Sequence, residues 1–507
     1  MITCEQIEAV GVREKRPVNN IFALWGGGIL VCVLVTCFFA PRFVIWQGLS
    51  IHEAWFNPEI NRAADTLLQL ENPSVHIENP SNKVIKWRLL FPYLGHYLHF
   101  PKWLFLSLPQ IGALVATVYM FQLLWSRTGK WLWAFMGVCV VDTSDWFFVS
   151  MGWLTYFDSW FVIGMLITCF SRSRMAIGAA CVLTPWVDER FVLALVGCGI
   201  VRWFYQRDWE DRSPKDLLLD FALIAAFVVP YVSIRFILAL TKDSDSSGYV
   251  KGIYDLMLAV PWLRFAEGLW AGFRAAWLFV IIFIVLVWRR GPRILSIIST
   301  LLIFFLVAVA LVVAGDLSRS MAMLLPVCLM GVIWLMSRHA RIGRVVLPAV
   351  FVANLILPAE HVIISSKFPI ATIYHEVKSF QNPPEFLNPA VFISEGKKLY
   401  DLGELNRAIH FFNNAIRLDR ALPEPYFLCG VSYFKSEYLL LAHENLDKAL
   451  QLRPLWADAL YFRGLVHAKA GSRGEAVGDL KKALSVAERG WSHQQDCHNA
   501  LKELGTQ

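Results

Sequence analysis

The stretch TPWVDERFVLALV (184–196) sets Asp188, Glu189 and Arg190 in a row, with MAIGAACVL before it and FVLALVGCGIV after it. One charge at the centre of a bilayer costs roughly 2.5–3.5 kcal/mol on insertion scales, so three facing lipid would be prohibitive. A short helix–break–helix removes the conflict: Pro185 ends one helix, Phe191 begins the next, and the triplet faces a polar cavity. Irregular backbone is tolerated at membrane depth where it lines a cavity or is buried in protein. A plain outer loop between two full spans is the alternative, and the flanking runs are short for it. Other charged residues gather on the same side. VVDTSDWFF supplies Asp142 and Asp145, three apart and so expected on one helix face. LTYFDSWF supplies Asp158, and AGDLSRSMAML supplies Asp316 and Arg319. LSIHEAWFNPEINRAADTLLQ brings His52, Glu53 and Glu59, and KVIKWRLLFPYLGHYL brings Arg88. Acids and arginines from five separate places describe a site for a charged, hydroxyl-bearing substrate at the outer mouth of a helical bundle.

The elements that must position them are membrane helices. The chain has 507 residues, 56% of them hydrophobic, including 21 Trp and 36 Phe. That share exceeds the soluble norm, and the apolar residues come in runs of the length a spanning helix needs. IFALWGGGILVCVLVTCFFA (21–40) is the plainest; it is too long for a signal-peptide core and lacks a small-x-small cleavage site, so it reads as a retained first helix. Spans are expected near 21–40, 104–125, 131–150, 154–171, 175–187, 190–205, 217–239, 268–288, 294–315, 321–337 and 345–360, eleven in all. The connections 127–130, 172–174, 202–215, 289–293 and 338–344 are short and rich in Lys and Arg, as is REKR (13–16). All six fall on one face, which places the N-terminus in the cytoplasm. Two outward segments are then long: 41–103, directly after the first span, and the stretch from 361 to the end. The ten Cys lie mostly within apolar runs, without zinc spacing or C-x-x-C, and read as small core residues. No P-loop or dinucleotide fingerprint is present, and neither a nucleotide nor a nucleic-acid partner is expected.

From about residue 389 the composition changes. Gly396, Gly430 and Gly464 recur every 34 residues, as do Ala408, Ala442 and Ala476, and Ala415, Ala449 and Ala483. Phe412, Leu446 and Leu480 share another phase, and Pro454 closes the second unit. This pattern resembles the tetratricopeptide repeat (TPR), a pair of antiparallel helices that stacks into a solenoid and binds proteins or peptides. Units are expected at 389–422, 423–456 and 457–490, with a solvating cap helix at 491–505. The fold class expected is therefore all-α: a polytopic bundle over 21–360 after a cytoplasmic N-terminus (1–20), a linker (361–388), and an outward TPR solenoid (389–507).

The bundle resembles the GT-C superfamily of membrane glycosyltransferases. WRLLFPYL (87–94) is similar to the Arg-x-Leu-x-x-Pro signature before the second span of many bacterial members. TPWVDERFVLAL resembles their short fifth–sixth helix region, and DLSRS their outer-end arginine. NRAADTLLQL (61–70) has the spacing of an amphipathic helix in the first outer loop, where the family carries a catalytic acid. An outward repeat domain is also similar to animal O-mannosyltransferases. His52-Glu53 stands where many members have Asp-Glu, a departure that leaves Glu59 as a competitor and allows a member without catalysis. The resemblance implies transfer of a sugar from a polyprenyl-phosphate donor to a protein or glycan acceptor, with a carboxylate as general base. Glu53 would be that base, with Asp158 or Asp188 shaping the sugar pocket beside Glu189 and Asp316. Arg319, then Arg88 and Arg190, would stabilise the leaving phosphate. Some members use a divalent metal and many do not; no metal-ligand spacing stands out here. The resemblance also implies a bacterial inner membrane.

Three other readings fit parts of the pattern. An O-antigen ligase or polymerase couples spans to outward repeats, but its large outer loop comes late. A membrane-anchored TPR scaffold for envelope assembly needs only one span. A transporter would show repeated halves or paired broken helices, and neither is visible.

Overall fold

The computed structural model describes residues 20–39, 58–75, 87–241, 262–312, 316–363, 367–381 and 388–505. They fall into two units, one within 1–43 and 62–378, the other within 44–61 and 379–507. In chain order the helices up to residue 356 are α1 (Ile21–Phe38), α2 (Pro58–Glu71), α3 (Leu90–Tyr97), α4 (Lys102–Thr128), α5 (Trp131–Asp142), α6 (Asp145–Gly152), α7 (Asp158–Phe170), α8 (Arg174–Leu183), α9 (Arg190–Glu210), α10 (Pro214–Thr241), α11 (Trp262–Phe273), α12 (Trp277–Arg290), α13 (Arg293–Val312), α14 (Leu317–Ser320), α15 (Leu325–Arg338) and α16 (Ala340–Ile356). The stretch expected as a linker then holds an antiparallel strand pair, β1 (Glu360–Val362) and β2 (Lys367–Pro369), and α17 (Ile373–Gln381).

The count of eleven spans is corrected. Among the described residues six helices are long and apolar enough to cross a membrane: Ile21–Phe38, Lys102–Thr128, Pro214–Ile237, Trp262–Arg289, Arg293–Leu311 and Leu317–Arg338. A seventh arises if α5 and α6, bent by 77° at their break, count as one. The other apolar runs fall short for physical reasons. At 1.5 Å per residue, the 13 residues of α7 reach only about 20 Å. The helix α8 has 10 residues and α16 has 17. The helix α9 is long, but Arg202, Arg207, Asp208 and Glu210 crowd its second half.

The bundle core is built around α15, where every residue from Leu325 to Met336 is buried. By contrast α13 exposes Leu301, Phe304 and Phe305, apolar side chains that suit lipid. Trp334 of α15 stacks on Phe283 of α12, centroids 5.3 Å apart. The two helices touch backbone to side at Gly331, where a Cβ would stand 2.0 Å from the carbonyl oxygen of Phe279.

The second unit continues with α18 (Pro389–Asp401), α19 (Leu405–Leu418), α20 (Pro423–Lys435), α21 (Leu439–Leu452), α22 (Ala457–Lys469), α23 (Arg473–Val486) and α24 (Gln494–Glu503). The 34-residue period is a packing rule made three times. A Cβ at Gly396, Gly430 or Gly464 would meet Phe412, Leu446 or Leu480 at 2.5, 2.6 and 2.9 Å. The alanines of both other phases are fully buried. Each turn within a pair has a left-handed residue in register: Gly403 at φ +81°, Glu437 at +64° and Gly471 at +82°. Arg463 ties two units together, forking onto Asp479 at 2.7 and 2.8 Å and reaching Asp447 at 2.8 Å. Cys429 and Cys497 are free and buried.

Candidate functional site: an arginine–carboxylate cluster

Four breaks in helical continuity aim charged side chains at one place. The chain bends after Asp142, so Asp145 opens α6. Thr143 and Ser144 support the break by donating to the carbonyls of Val140 and Val141, the local competition that makes such residues helix breakers. Thr155 then adopts φ +61°, an outlier for a β-branched residue, and α7 starts at Asp158. A 3₁₀ turn, Thr184–Trp186, follows α8 and leads to Asp188 before α9. Asp316 precedes the single turn of α14.

Around these breaks Arg190 Nη2 donates to Asp158 Oδ1 at 2.6 Å and to Asp188 Oδ2 at 2.7 Å, while its Nε reaches Asp188 Oδ1 at 2.9 Å. Arg319 Nε donates to the same Asp158 Oδ1 at 2.7 Å, and its other nitrogens lie 3.4 Å from Asp188 and 3.3 Å from Asp316. Arg88 reaches Glu189 at 3.1 Å and Asp188 at 3.4 Å. Asp158 and Asp188 are shut from solvent; Glu189 and Asp316 are the more open ends. Seven expected residues thus meet: Arg88, Asp158, Asp188, Glu189, Arg190, Asp316 and Arg319. Glu53 lies outside the described residues, and so does the side chain of Glu59 in α2. Within the triplet Asp188 and Arg190 are packed into ion pairs, whereas Glu189 stays partly open. Asp142 and Asp145 do not share a helix face, because the break turns them apart; Asp142 accepts from Thr117 Oγ1 at 2.7 Å.

Two further members escaped the sequence reading. Arg62 of α2 and Arg319 both lie over the ring of Tyr156, at 4.0 and 4.6 Å from its centroid. Arg62 Nε is buried without a hydrogen-bond partner, as is Arg190 Nη1. Burial lowers the Arg62 pKa to about 10. Burial also opposes the charges of Arg88 and Asp188, but their partners prevail: Asp188 and Glu189 raise the Arg88 pKa, and Arg190 and Arg88 hold Asp188 below the usual carboxylate range. Three guanidiniums, of Arg88, Arg190 and Arg319, therefore face four carboxylates, the pairing a buried charge requires, while Arg62 lies on the Tyr156 ring.

Beside this cluster lies a second group the sequence did not flag. His361 of β1 is fully buried, its Nδ1 2.7 Å from Asp145 Oδ2 and its Nε2 3.5 Å from Asp316 Oδ1. Ser318 Oγ donates to Asp145 Oδ2 at 2.7 Å and accepts from Val362 N at 2.8 Å. Trp153 covers the ring edge-on at 4.1 Å. Burial opposes an imidazolium, but Asp145 and Asp316 raise the His361 pKa to about 9. A lone histidine after an apolar run carries no motif; only the fold brings Asp145 and Asp316 to it.

The helix α9 joins this site to another charged network. Arg190 opens the helix; Arg202, 12 residues or about 18 Å along, pairs with Asp220 of α10. Glu210, 20 residues or about 30 Å along, pairs with Arg127 at 2.5 Å and with Arg172. Arg127, Arg172 and Arg202 belong to the basic connections expected on the cytoplasmic side.

Residues 396–436 match the TPR repeat family. No curated protein matches the chain. Among solved structures the chain is similar to the first TPR of Spaghetti (RPAP3) bound to the HSP90 peptide SRMEEVD, at 18% identity and a TM-score of 0.22, covering 24% of this chain and 94% of that one. It is also similar to MamA, at 26% identity and a TM-score of 0.22, covering 26% and 70%. The APC/C hetero-tetramer Cut9–Hcn1 gives 13% identity and a TM-score of 0.21, covering 88% and 96%. By the family match the C-terminal region carries a TPR repeat, a protein-interaction module, and the other unit holds six or seven candidate spans among the described residues.

Proposed function

We propose that this chain is a membrane-embedded docking protein, its TPR array holding a protein partner for envelope assembly. The observation carrying this reading is the in-register array itself, with its family match. Lys435 and Lys469, one repeat apart at the ends of α20 and α22, lie over Tyr400 and Phe434 at 4.2 and 5.1 Å. The reading includes a cytoplasmic N-terminus and extracytoplasmic repeats in a bacterial inner membrane. A photo-crosslinking residue at Lys469 should give one discrete protein adduct in native membranes, and one at Gly478, which has open space around it, should give none. No adduct at Lys469, or equal labelling at both positions, sinks the docking role.

A second reading is favoured by a different observation. A docking anchor has no use for eight clustered charged groups, four of them, Asp158, Asp188, Arg190 and Arg319, buried among apolar helices. Arg62 and Arg319 on one aromatic ring, with donors left over on Arg62 and Arg190, suit a phosphate-bearing ligand. Glycosyl transfer from a polyprenyl-phosphate donor would use such a site, with Asp158 and Asp188 ordering the arginines and Glu53 or Glu59 as base. Native mass spectrometry of the purified protein beside Arg319→Ala tests it. A polyprenyl or glycosyl phosphate that co-purifies with the wild type and is depleted in the variant supports transfer. Ordinary phospholipid alone, equal in both, leaves the cluster a structural pairing.

A further inference from the structure

We propose that Trp87, Tyr231 and Arg235 form a lateral binding site for the phosphodiester headgroup of a membrane lipid. Arg235 lies in the last turn of the candidate span Pro214–Ile237, and the end of a span is where a bilayer places its headgroups. Its neighbours Val232, Ile234, Phe236 and Ile237 are exposed apolar side chains that suit lipid. Arg235 itself is half-buried, its guanidinium 4.5 Å from the centroid of the Trp87 ring. No described residue gives it a carboxylate or a hydrogen-bond acceptor. One turn back on the same face of α10, Tyr231 is buried, and its hydroxyl has no hydrogen-bond partner among the described residues. The Trp186 ring packs edge-on against it at 4.9 Å. Lipid tails offer such a group no water, so leaving it unmet costs the full desolvation penalty.

The charge balance selects the ligand. Glu189, Arg235, Asp188 and Arg88 are the charged groups that act on Tyr231. Arg88 already engages both oxygens of Glu189 and reaches Asp188, and Arg190 holds Asp188 as well. Arg235 is the cation left over, and its one charge matches the single negative charge of a phosphodiester. The guanidinium fork suits two phosphate oxygens, with the Trp87 face beneath it fixing its plane. The Tyr231 hydroxyl supplies a further donor, and the two tryptophans are the amphipathic rings that favour headgroup depth. An arginine that merely snorkels out of the hydrocarbon needs neither the ring nor the buried hydroxyl. The inference rests on neither functional reading, since the site lies beside the arginine cluster and shares no residue with the ion pairs that build it. A glycerophospholipid and a glycosyl polyprenyl phosphate both carry this group.

The test is native mass spectrometry of the delipidated full-length protein in detergent. It is titrated with dioleoylphosphatidylglycerol and, separately, with undecaprenyl phosphoglucose. The wild type should bind one molecule of at least one probe well before a second. Arg235→Gln should weaken that first binding about tenfold or more, the loss of a charged hydrogen-bonded contact, and Tyr231→Phe about three- to tenfold. Tyr231→Phe removes a hydroxyl that no described residue meets, so it should fold as the wild type does. Arg344→Gln, which removes an exposed arginine of α16, should leave binding unchanged. Tighter binding of phosphatidylglycerol names a bilayer phospholipid as the occupant, and tighter binding of the polyprenyl probe names a lipid-linked sugar. Equal first binding in the wild type and Arg235→Gln overturns the proposal. So does a loss in Arg235→Gln with none in Tyr231→Phe, which leaves only a snorkelling arginine. Equally tight binding of glycerophosphoglycerol, the same headgroup without tails, also overturns it, because the ligand would then be a free phosphodiester.

Discussion

Glu437 occupies the turn position that glycine fills in the neighbouring units, and this yields a signed prediction. Its φ of +64° costs a residue with a Cβ about 1–2 kcal/mol. Replacement by glycine removes that strain but frees the unfolded chain, which takes back about 0.4–1 kcal/mol. The ion pair with Lys469, 3.6 Å long and with Glu437 82% exposed, is worth under about 0.5 kcal/mol. Glu437→Gly should therefore stabilise the second repeat by about 0.5–1 kcal/mol, a roughly two- to fivefold drop in its local opening constant. Native-state hydrogen exchange on the α20 and α21 amides of the full-length protein reads this directly. Gly471→Glu, the reverse change one repeat on, should speed exchange in α22 and α23. If Glu437→Gly leaves exchange unchanged or faster, the strain assigned to that turn is absent and the reasoning fails.

Gly331→Ala should lower bundle stability by about 1–3 kcal/mol, because its Cβ meets backbone; Gly26→Ala, with nothing within 4 Å, should change the detergent melting temperature little. Asp158→Asn should cost about 3–5 kcal/mol, since it leaves Arg190 and Arg319 short of a shared counter-charge; a double variant that also carries Arg319→Met should recover part of the loss in the same melts. The depressed Asp188 pKa means its folded state binds fewer protons than its unfolded state, so its contribution is present above about pH 3.9 and is lost as pH falls below that. Melts from pH 8 down to 4.5 should show no loss that Asp188→Asn abolishes; such a loss would contradict the assignment.

The repeat domain was legible in the sequence because its period is a packing constraint. Each small residue at Gly396, Gly430 and Gly464 meets one large residue, so one contact repeats at every period. The gathering of Arg88, Asp158, the 188–190 triplet, Asp316 and Arg319 was legible for a related reason: charges flanked by apolar runs must find one another. Span count was not legible, because apolar composition does not separate a helix facing lipid, such as α13, from one buried on all sides, such as α15. The bend after Asp142 was signalled by Thr143 and Ser144 but hidden by the apolar residues around them. His361 and Arg62 were missed because each lies alone in its local sequence, and only the tertiary fold supplies Asp145, Asp316 and Tyr156.

The two charged networks on α9 are joined by one helix and separated by closely packed apolar side chains. At about 18 Å and an effective dielectric near 20, unit charges at Arg190 and Arg202 feel each other by only about 0.9 kcal/mol. Their partners cancel most of that. The two charged networks are therefore almost electrically silent to one another. A change in the ion pairs of one network can reach the other only as a push along α9, the helix acting as a rod clamped at both ends rather than as a wire.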